Sequence, residues 1–228
     1  AVFANVQKFT RYVLASNVPE IIPFLLYVAL PVPLALSVLQ ILAIDLGTDM
    51  LPAIGLGQEQ PDSESMQRRP RGRHERLLSL RLMLHSYLVL GLMQAGWALT
   101  LFFLYLAAGG WIYGAPLAGD SLLYRGATTL TLVAIVLMQV ANLIGRRHAT
   151  GNGLDAGLLA NHLCVAGIAL ELLFVWAAVA WPPMMRALQT APLPLGWMLL
   201  AMAGAPLFFA MDLMTRRWWA RRVQSGRR

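Results

Sequence analysis

Two aspartates, Asp45 and Asp49, lie inside one apolar stretch of the chain, and a glutamate, Glu20, lies inside an earlier one. A charged side chain at the centre of a membrane helix costs about 2.5–3.5 kcal/mol on insertion scales, so such residues usually have a function. No Lys or Arg occurs between Tyr12 and Gln67, so no basic residue close in sequence is available to pair with these carboxylates. Protons or bound cations are therefore expected to neutralise them.

The spacing of the polar residues favours a binding site. Asn17 and Glu20 are three residues apart, and Asp45 and Asp49 are four apart, so each pair shares a helix face. Thr48 adds a hydroxyl beside Asp49. Residues that weaken helical hydrogen bonding lie in or next to both groups: Pro19, Pro23, Gly47 and Pro52. An all-oxygen ligand set suits Na⁺, K⁺, Ca²⁺ or Mg²⁺ rather than copper or zinc, and broken helices at mid-membrane are common at transport sites.

The elements that position these residues are predicted to be membrane helices. Of the 228 residues 58% are hydrophobic and 13% are charged, which indicates a membrane protein. We expect an all-α membrane protein, a six-helix transmembrane bundle with a broken helix at the ion site. Six apolar runs are long enough to cross a bilayer: residues 10–30, 36–56, 80–107, 128–144, 157–181 and 195–214. Cys164, the single cysteine, cannot form a disulfide within the chain.

The net charge of +7 is distributed between the apolar runs rather than over a basic surface, which argues against a nucleic-acid partner. With six spans, sixteen of the 18 Lys and Arg residues fall on one side, and only Arg125 and Arg186 fall on the other. Both termini, including a basic tail at residues 215–228, are therefore predicted to be cytoplasmic. The basic residues of the loop after the second span and of the tail carry most of this signal: Arg68, Arg69, Arg71, Arg73, Arg76, Arg81, Arg216, Arg217, Arg221, Arg222, Arg227 and Arg228.

Two segments make the chain resemble a known family. Residues 14–24, LASNVPEIIPF, and residues 43–53, AIDLGTDMLPA, resemble the fifth and sixth transmembrane helices of a type II P-type ATPase, closest to the sodium/potassium-pump branch. MQRRPRGRHERLLS, MQVANLIGRR and ALQTAPLPLGW resemble segments further along the same pumps, so the likeness covers essentially the whole chain. The resemblance implies the C-terminal transmembrane domain of an ATP-driven cation pump.

The resemblance also implies ligands. It assigns to the two shared cation sites Asn17, Glu20, Asp45, Thr48 and Asp49, with Ser16 lining them and Asp49 bridging both. The calcium-pump branch typically has Asn where this chain has Asp45, so a monovalent cation such as Na⁺ or K⁺ is favoured over Ca²⁺. For the third site of sodium pumps Tyr12, Gln139 and Glu171 match, but Asn142 stands in place of an aspartate. Because of that difference, the resemblance does not decide whether this chain has a third sodium site.

The phosphorylation motif DKTGT, the TGES loop and the GDGVND hinge of the family do not occur in the sequence. The chain is therefore expected to be inactive alone, with ATP and Mg²⁺ bound by absent domains, and to work with those domains, the first four helices and the lipid bilayer. Its start, AVFANVQKFTRY, is typical of a fragment, excised or naturally truncated. No accessory β-type subunit is expected, because its motif is missing from the loop at residues 109–125. A bacterial plasma membrane is expected.

Three alternatives remain open at this point. The chain could belong to a Ca²⁺ or H⁺ pump of the same superfamily. It could instead be a six-span secondary carrier or channel, for which no repeat symmetry is visible. A non-transporting remnant is the third, and the intact carboxylates weigh against it.

Overall fold

The computed structural model describes residues 2–59, 80–148 and 153–225, apart from the side chains of Arg81, Ala156 and residues 219–225. Most of the Arg-rich loop, with Arg68, Arg69, Arg71, Arg73 and Arg76, lies outside the described residues, as does the end of the basic tail. Within the described ranges the regular structure is helical, with no strand. The prediction of an all-α protein is confirmed.

Six stretches of helix in the described chain are long and apolar enough to cross a membrane. The first three spans are α1 (Val2–Ala29); α2 (Val38–Ile44), a π-helical segment (Asp45–Asp49) and α3 (Met50–Gly57); and α4 (Leu80–Leu84), a second π-helical segment (His85–Gly91) and α5 (Leu92–Ala108). The last three spans are α6 (Leu122–Arg146), α8 (His162–Ala180) and α10 (Leu195–Ser225), with the short helices α7 (Ala156–Ala160) and α9 (Pro182–Leu188) before the last two. The prediction of six spans is confirmed.

The fourth span begins earlier than expected. The sequence prediction placed its start at residue 128, but α6 begins at Leu122. The Ser121 hydroxyl accepts a hydrogen bond from the Tyr124 backbone N–H at 3.2 Å and so caps the helix. A long arginine side chain near a helix end can reach the polar interface, so Arg125 is compatible with the first turns of a span.

The bounds of the fifth and sixth spans also differ from the prediction. The helix expected over residues 157–181 is interrupted at Asn161, whose side chain caps α8 by accepting from the Cys164 N–H at 3.1 Å. The last helix does not end at residue 214 but continues to Ser225. Asp212 and Arg216, four residues apart, form an ion pair at 3.0 Å across the predicted end at residue 214.

The expected broken helix at the ion site takes a milder form. The second span stays helical, but Asp45–Asp49 adopts π-helical hydrogen bonding, which inserts a wider turn between α2 and α3. The first span runs through Pro19 and Pro23 without interruption. Each proline lacks an N–H, so the helix still loses two backbone hydrogen bonds at this depth.

The core of the bundle is α6, the only one of the six described spans whose apolar window is almost entirely buried. It packs against α5 and α10 most extensively and also against α8 and α1. At Gly145 the helix comes so close to α10 that an added Cβ would lie 2.8 Å from an Asp212 carboxylate oxygen. Because α6 is central, the polar side chains it carries face other helices and not lipid.

Candidate cation site

Three carboxyl groups converge between α1 and the π-helical segment. One oxygen each of Glu20, Asp45 and Asp49 lie within 4.8 Å of one another. Glu20 and Asp49 are buried, at 5% and 7% exposure, and Asp45 is half-buried. Like charges at this separation repel strongly away from water, so the arrangement is suited to a shared cation or to protons.

A cleft of about 260 Å³ opens beside this triad. Its polar wall consists of Ser16, Asn17, Asp45 and Asp49, which come from α1 and the π-helical segment. The apolar wall was not anticipated from the sequence: Phe9, Val13, Met50, Ala53 and Ile54. Four-residue spacing could have identified part of it, because Phe9 and Val13 precede Asn17 on one face of α1 and Ala53 follows Asp49 on one face of the second span.

Two of the predicted ligands use their hydroxyl hydrogens within their own helices. Thr48 is buried and donates to the Ile44 carbonyl at 2.8 Å, and Ser16 donates to the Val13 carbonyl at 3.1 Å. Both hydroxyl oxygens retain the capacity to accept, which is what a cation ligand requires. Ser16 lines the cleft, whereas Thr48 lies outside its lining.

A second polar cluster lies on the other side of Asp49. The Tyr12 hydroxyl lies 3.0 Å from Asp49 Oδ1 and 3.2 Å from Glu171 Oε1, so it bridges the carboxyl groups of the second and fifth spans. The Gln139 side chain donates from Nε2 to Asp49 Oδ2 at 3.3 Å. Asn142 donates to the Tyr12 carbonyl at 3.4 Å. Tyr12, Gln139 and Glu171 of the predicted additional site are therefore joined around Asp49, and Asn142 contacts the backbone of Tyr12.

Several oxygens in these two clusters have no hydrogen-bond donor. They are Glu20 Oε1, Gln139 Oε1, Asn142 Oδ1 and Glu171 Oε2, each of them buried. Buried polar atoms in proteins are nearly always satisfied, so four unsatisfied acceptors in two adjoining clusters call for an explanation. A hard cation coordinates oxygens of this kind.

In the described part of the chain, no basic side chain balances these acids. Among the described residues, none of Glu20, Asp45, Asp49 and Glu171 forms an ion pair with Lys or Arg. The two arginines at the end of α6 pair with other acids: Arg146 pairs with Asp212, and Arg147 pairs with Glu59 and Asp155. The clusters thus combine acidic side chains with neutral donors alone.

Comparison with known proteins places the chain in a family. Residues 33–218 match the family described as "Cation transporting ATPase, C-terminus". The chain belongs to the cation-transporting ATPase C-terminal family. As a member of this family with six apolar spans, it is a multi-pass integral membrane protein.

Individual relatives of the family are similar along nearly the whole chain. The sodium/potassium-transporting ATPase subunit alpha-B of Artemia franciscana is 31% identical over 99% of the chain, and subunit alpha-4 of Homo sapiens is 33% identical over 92%. The potassium-transporting ATPase alpha chain 2 of Rattus norvegicus is 30% identical over 96%. The chain spans about a quarter of the length of each of these relatives.

Sequence reasoning missed one buried acid. Glu59, two residues beyond α3, is 7% exposed and pairs with Arg147 from the end of α6. The signal was present in the sequence, because Glu59 is the first acid after the second apolar run and Arg147 is the second of two consecutive bases after the fourth. Two runs that end on the same side of a membrane bring such residues to one level.

Proposed function

We propose that this chain is the ion-binding and translocating membrane half of an ATP-driven cation pump. The observation that carries the proposal is the convergence of Glu20, Asp45 and Asp49 beside an open cleft, without any basic partner among the described residues. Since the described residues supply no counter-charge to the triad, we expect a transported cation to supply it when bound.

The ligands proposed for the two shared sites are Asn17, Glu20, Asp45, Thr48 and Asp49, with Ser16 at the cleft wall. Asp49 is proposed to bridge the two sites, since it belongs to the carboxyl triad and also contacts Tyr12 and Gln139. A monovalent cation, Na⁺ or K⁺, is the proposed substrate. Support comes from the all-oxygen ligand set and from relatives named as sodium/potassium- or potassium-transporting ATPases.

A further cation is proposed to bind at the Tyr12, Gln139, Asn142 and Glu171 cluster. Its support is geometric: the Tyr12 hydroxyl lies between the carboxyl groups of Asp49 and Glu171, and Gln139, Asn142 and Glu171 each have a buried oxygen that receives no hydrogen bond from the described residues. Asn142 contributes a neutral amide oxygen where an aspartate would contribute a charge. We expect this site to bind its cation more weakly than an otherwise identical site with an aspartate at position 142.

The chemistry of ATP hydrolysis is proposed to reside outside this chain, with Mg²⁺ and ATP bound by other domains of the pump. Coupling would pass through α1, which carries Asn17 and Glu20 and extends beyond them to Val2. The termini and the basic loops are proposed to be cytoplasmic. The bacterial membrane expected from the sequence gains no support from the relatives, which come from animals, and the absence of an accessory β-type subunit stays a proposal.

The deciding experiment measures cation-stimulated ATP hydrolysis by the full-length protein in lipid, scanning Na⁺, K⁺, Ca²⁺, Mg²⁺ and pH. Asp49→Asn is the test variant, and Asp120→Asn, an exposed acid in the loop before α6, is the matched control. We expect one monovalent cation to stimulate turnover in the wild type and in the control, and the stimulation to be lost in Asp49→Asn.

Other results would change the assignment. Stimulation by Ca²⁺ alone, or by acid pH alone, would name a calcium or proton pump of the same superfamily. Cation flux without ATP would point to a carrier or channel. If Asp49→Asn behaves like the wild type, the triad is not the transport site.

A further inference from the structure

At the end of the bundle where α3 and α6 terminate, one arginine is buried among acids from two other segments. Arg147 is 1% exposed and contacts Glu59 through two hydrogen bonds, Nη2 to Oε1 at 2.7 Å and Nε to Oε2 at 3.3 Å. Its third nitrogen reaches Asp155 at 3.0 Å, before α7. A two-point arginine–carboxylate contact fixes both distance and orientation.

Glu59 is also held by the first and fifth spans. The Asn5 side chain on α1 donates to the Glu59 carbonyl at 2.6 Å and to the Gly57 carbonyl at 3.2 Å, so it caps the end of α3. Asn161, which begins α8, donates to Glu59 Oε2 at 2.8 Å and to the Gly55 carbonyl at 3.0 Å. Segments from four of the spans therefore meet at this single residue.

The same four segments form the cation clusters. Asn5 precedes Tyr12 by seven residues, two turns of α1, so both lie on one face of that helix. The eight residues of α3, about 12 Å of helix, and Gln58 separate the end of the π-helical segment from Glu59. Along α3 the contact with α8 is so close that a Cβ on Gly55 would lie 2.9 Å from the Cys164 backbone nitrogen. The helix that begins at the cation site is thus clamped at its far end.

A buried ion pair is a poor source of net stability, because desolvation of both charges offsets their attraction. What such a pair does supply is a defined register, since moving either partner leaves a buried charge alone. Although burial acts the other way, hydrogen bonds and charge from Glu59 and Asp155 raise the pKa of Arg147, so the guanidinium stays ionised.

We propose that the Glu59–Arg147 pair is a positioning device for cation binding: it fixes the end of α3 against α6, α8 and α1 and thereby holds Asp49 against Tyr12 and Gln139. Neither residue touches the cation. The expected effect of the pair on cation affinity rests on the proposed function. Its expected effect on the position of α3 rests on the hydrogen bonds alone.

The first test variant is Arg147→Met, which keeps a long side chain and removes the charge. Arg147→Lys keeps the charge but loses the two-point contact, and Arg186→Met, at an exposed position of α9, is the matched control. Two measurements are made on folded protein in lipid: the Na⁺ or K⁺ concentration that gives half of the cation-induced rise in melting temperature, and amide hydrogen exchange over residues 45–59.

We expect Arg147→Met to raise the half-effect concentration at least tenfold and to accelerate exchange over residues 45–59. Arg147→Lys should recover part of both effects, and Arg186→Met should show neither. Glu59→Gln, which keeps the size of the side chain, should resemble Arg147→Met and guards against a defect specific to that variant.

Unchanged exchange over residues 45–59 in both Arg147→Met and Glu59→Gln would overturn the proposal, whatever the cation response. Faster exchange with an unchanged half-effect concentration would also overturn it, since the pair would then be structural only. If the wild type shows no cation response at all, the proposed function fails, and the exchange data alone decide whether the pair positions α3.

Discussion

Acidic side chains are buried in two regions of this protein, and their surroundings are opposite. In the carboxyl triad and the neighbouring Tyr12 cluster, Glu20, Asp49 and Glu171 are buried without any basic partner among the described residues. At the end of α6, Asp212 is 1% exposed and pairs with Arg146 and with Arg216. A buried carboxylate therefore has a structural role where an arginine pairs with it, and it is free to bind a ligand where no described base does.

This contrast shows what burial alone does not reveal. A buried carboxylate with its arginine is satisfied in the resting protein, and any change to it breaks a contact. A buried carboxylate without an arginine partner stays unsatisfied until a cation or a proton binds to it. The same Asp→Asn substitution should therefore have opposite effects on stability in the two regions.

The largest effect is expected for Asp212→Asn. It removes the carboxylate that Arg146 and Arg216 both contact in a buried setting, and breaking a buried ion pair in this way costs about 3–5 kcal/mol in the free energy of unfolding. Thermal denaturation in lipid or mild detergent measures it, with Asp120→Asn as an exposed control that should stay within about 0.5 kcal/mol of the wild type. A loss as small as in the control would mean that the ion pairs at the end of α6 are not structural.

Asp49→Asn should do the reverse in the absence of transported cations. The asparagine oxygen can accept from Gln139, and its amide can donate to the Tyr12 hydroxyl, so the hydrogen bonds of Asp49 are replaced while its charge is removed. We expect the free energy of unfolding to rise by about 1–3 kcal/mol, the typical penalty of an uncompensated buried group. Melting curves with and without Na⁺ or K⁺ measure this, and the stabilisation by cation should vanish.

A destabilised Asp49→Asn protein in cation-free buffer would contradict the comparison. It would place Asp49 with Asp212, as an acid whose contacts hold the resting structure together.

Glu171→Gln separates the two cation clusters. The glutamine oxygen can still accept from the Tyr12 hydroxyl, so the structure is preserved and the change in the free energy of unfolding should be about 1 kcal/mol or less. Isotope binding at saturation should show one cation fewer per chain, with the triad still occupied. Unchanged stoichiometry would show that the Tyr12 cluster holds no cation of its own.

The smallest effect concerns Asp155, which is 46% exposed. Although burial acts the other way, hydrogen bonds and charge from Arg147 and His148 lower the pKa of the Asp155 carboxyl below its ordinary value of 3.8. A lowered pKa contributes stability that is fully present above about pH 4 and is lost as the pH falls through the folded-state value. Asp155→Asn should therefore melt slightly below the wild type at pH 7, with a gap that closes below pH 4.

That pH series has a clear failing result. A gap between the wild type and Asp155→Asn that stays constant from pH 7 to pH 3 would show that the Arg147 contact contributes nothing through the charge of Asp155.

Much of this structure could be predicted from the sequence, and particular residues show why. The six spans follow from run length, and the triad follows from acids placed where no base is near. The start of α6 at Leu122 could not be predicted from hydropathy, because the Ser121 cap and the length of Arg125 decide it. The break at Asn161 likewise depends on a side-chain cap, which composition does not reveal.

The site was predicted less completely than the fold. Its carboxylates and amides could be predicted individually, but Glu59 and Arg147 are 88 residues apart, and their pairing depends on how the bundle closes. The use of the Thr48 hydroxyl hydrogen within its own helix also depends on local geometry. Residue type indicates which groups can bind a cation, whereas packing decides which of their atoms remain available.

The π-helical segment has a consequence for the phase of the second span. One row of its buried residues, Gln40, Ile44, Thr48, Pro52 and Leu56, recurs every four positions. In an α-helix of 3.6 residues per turn each such step advances about 40° around the axis, so the stripe would wind away from the bundle. The wider turn at Asp45–Asp49 takes back part of that rotation. Removing one residue from it would turn α2 by about 100° relative to α3 and carry the Gln40 side chain away from the Leu188 carbonyl that it reaches at 3.2 Å.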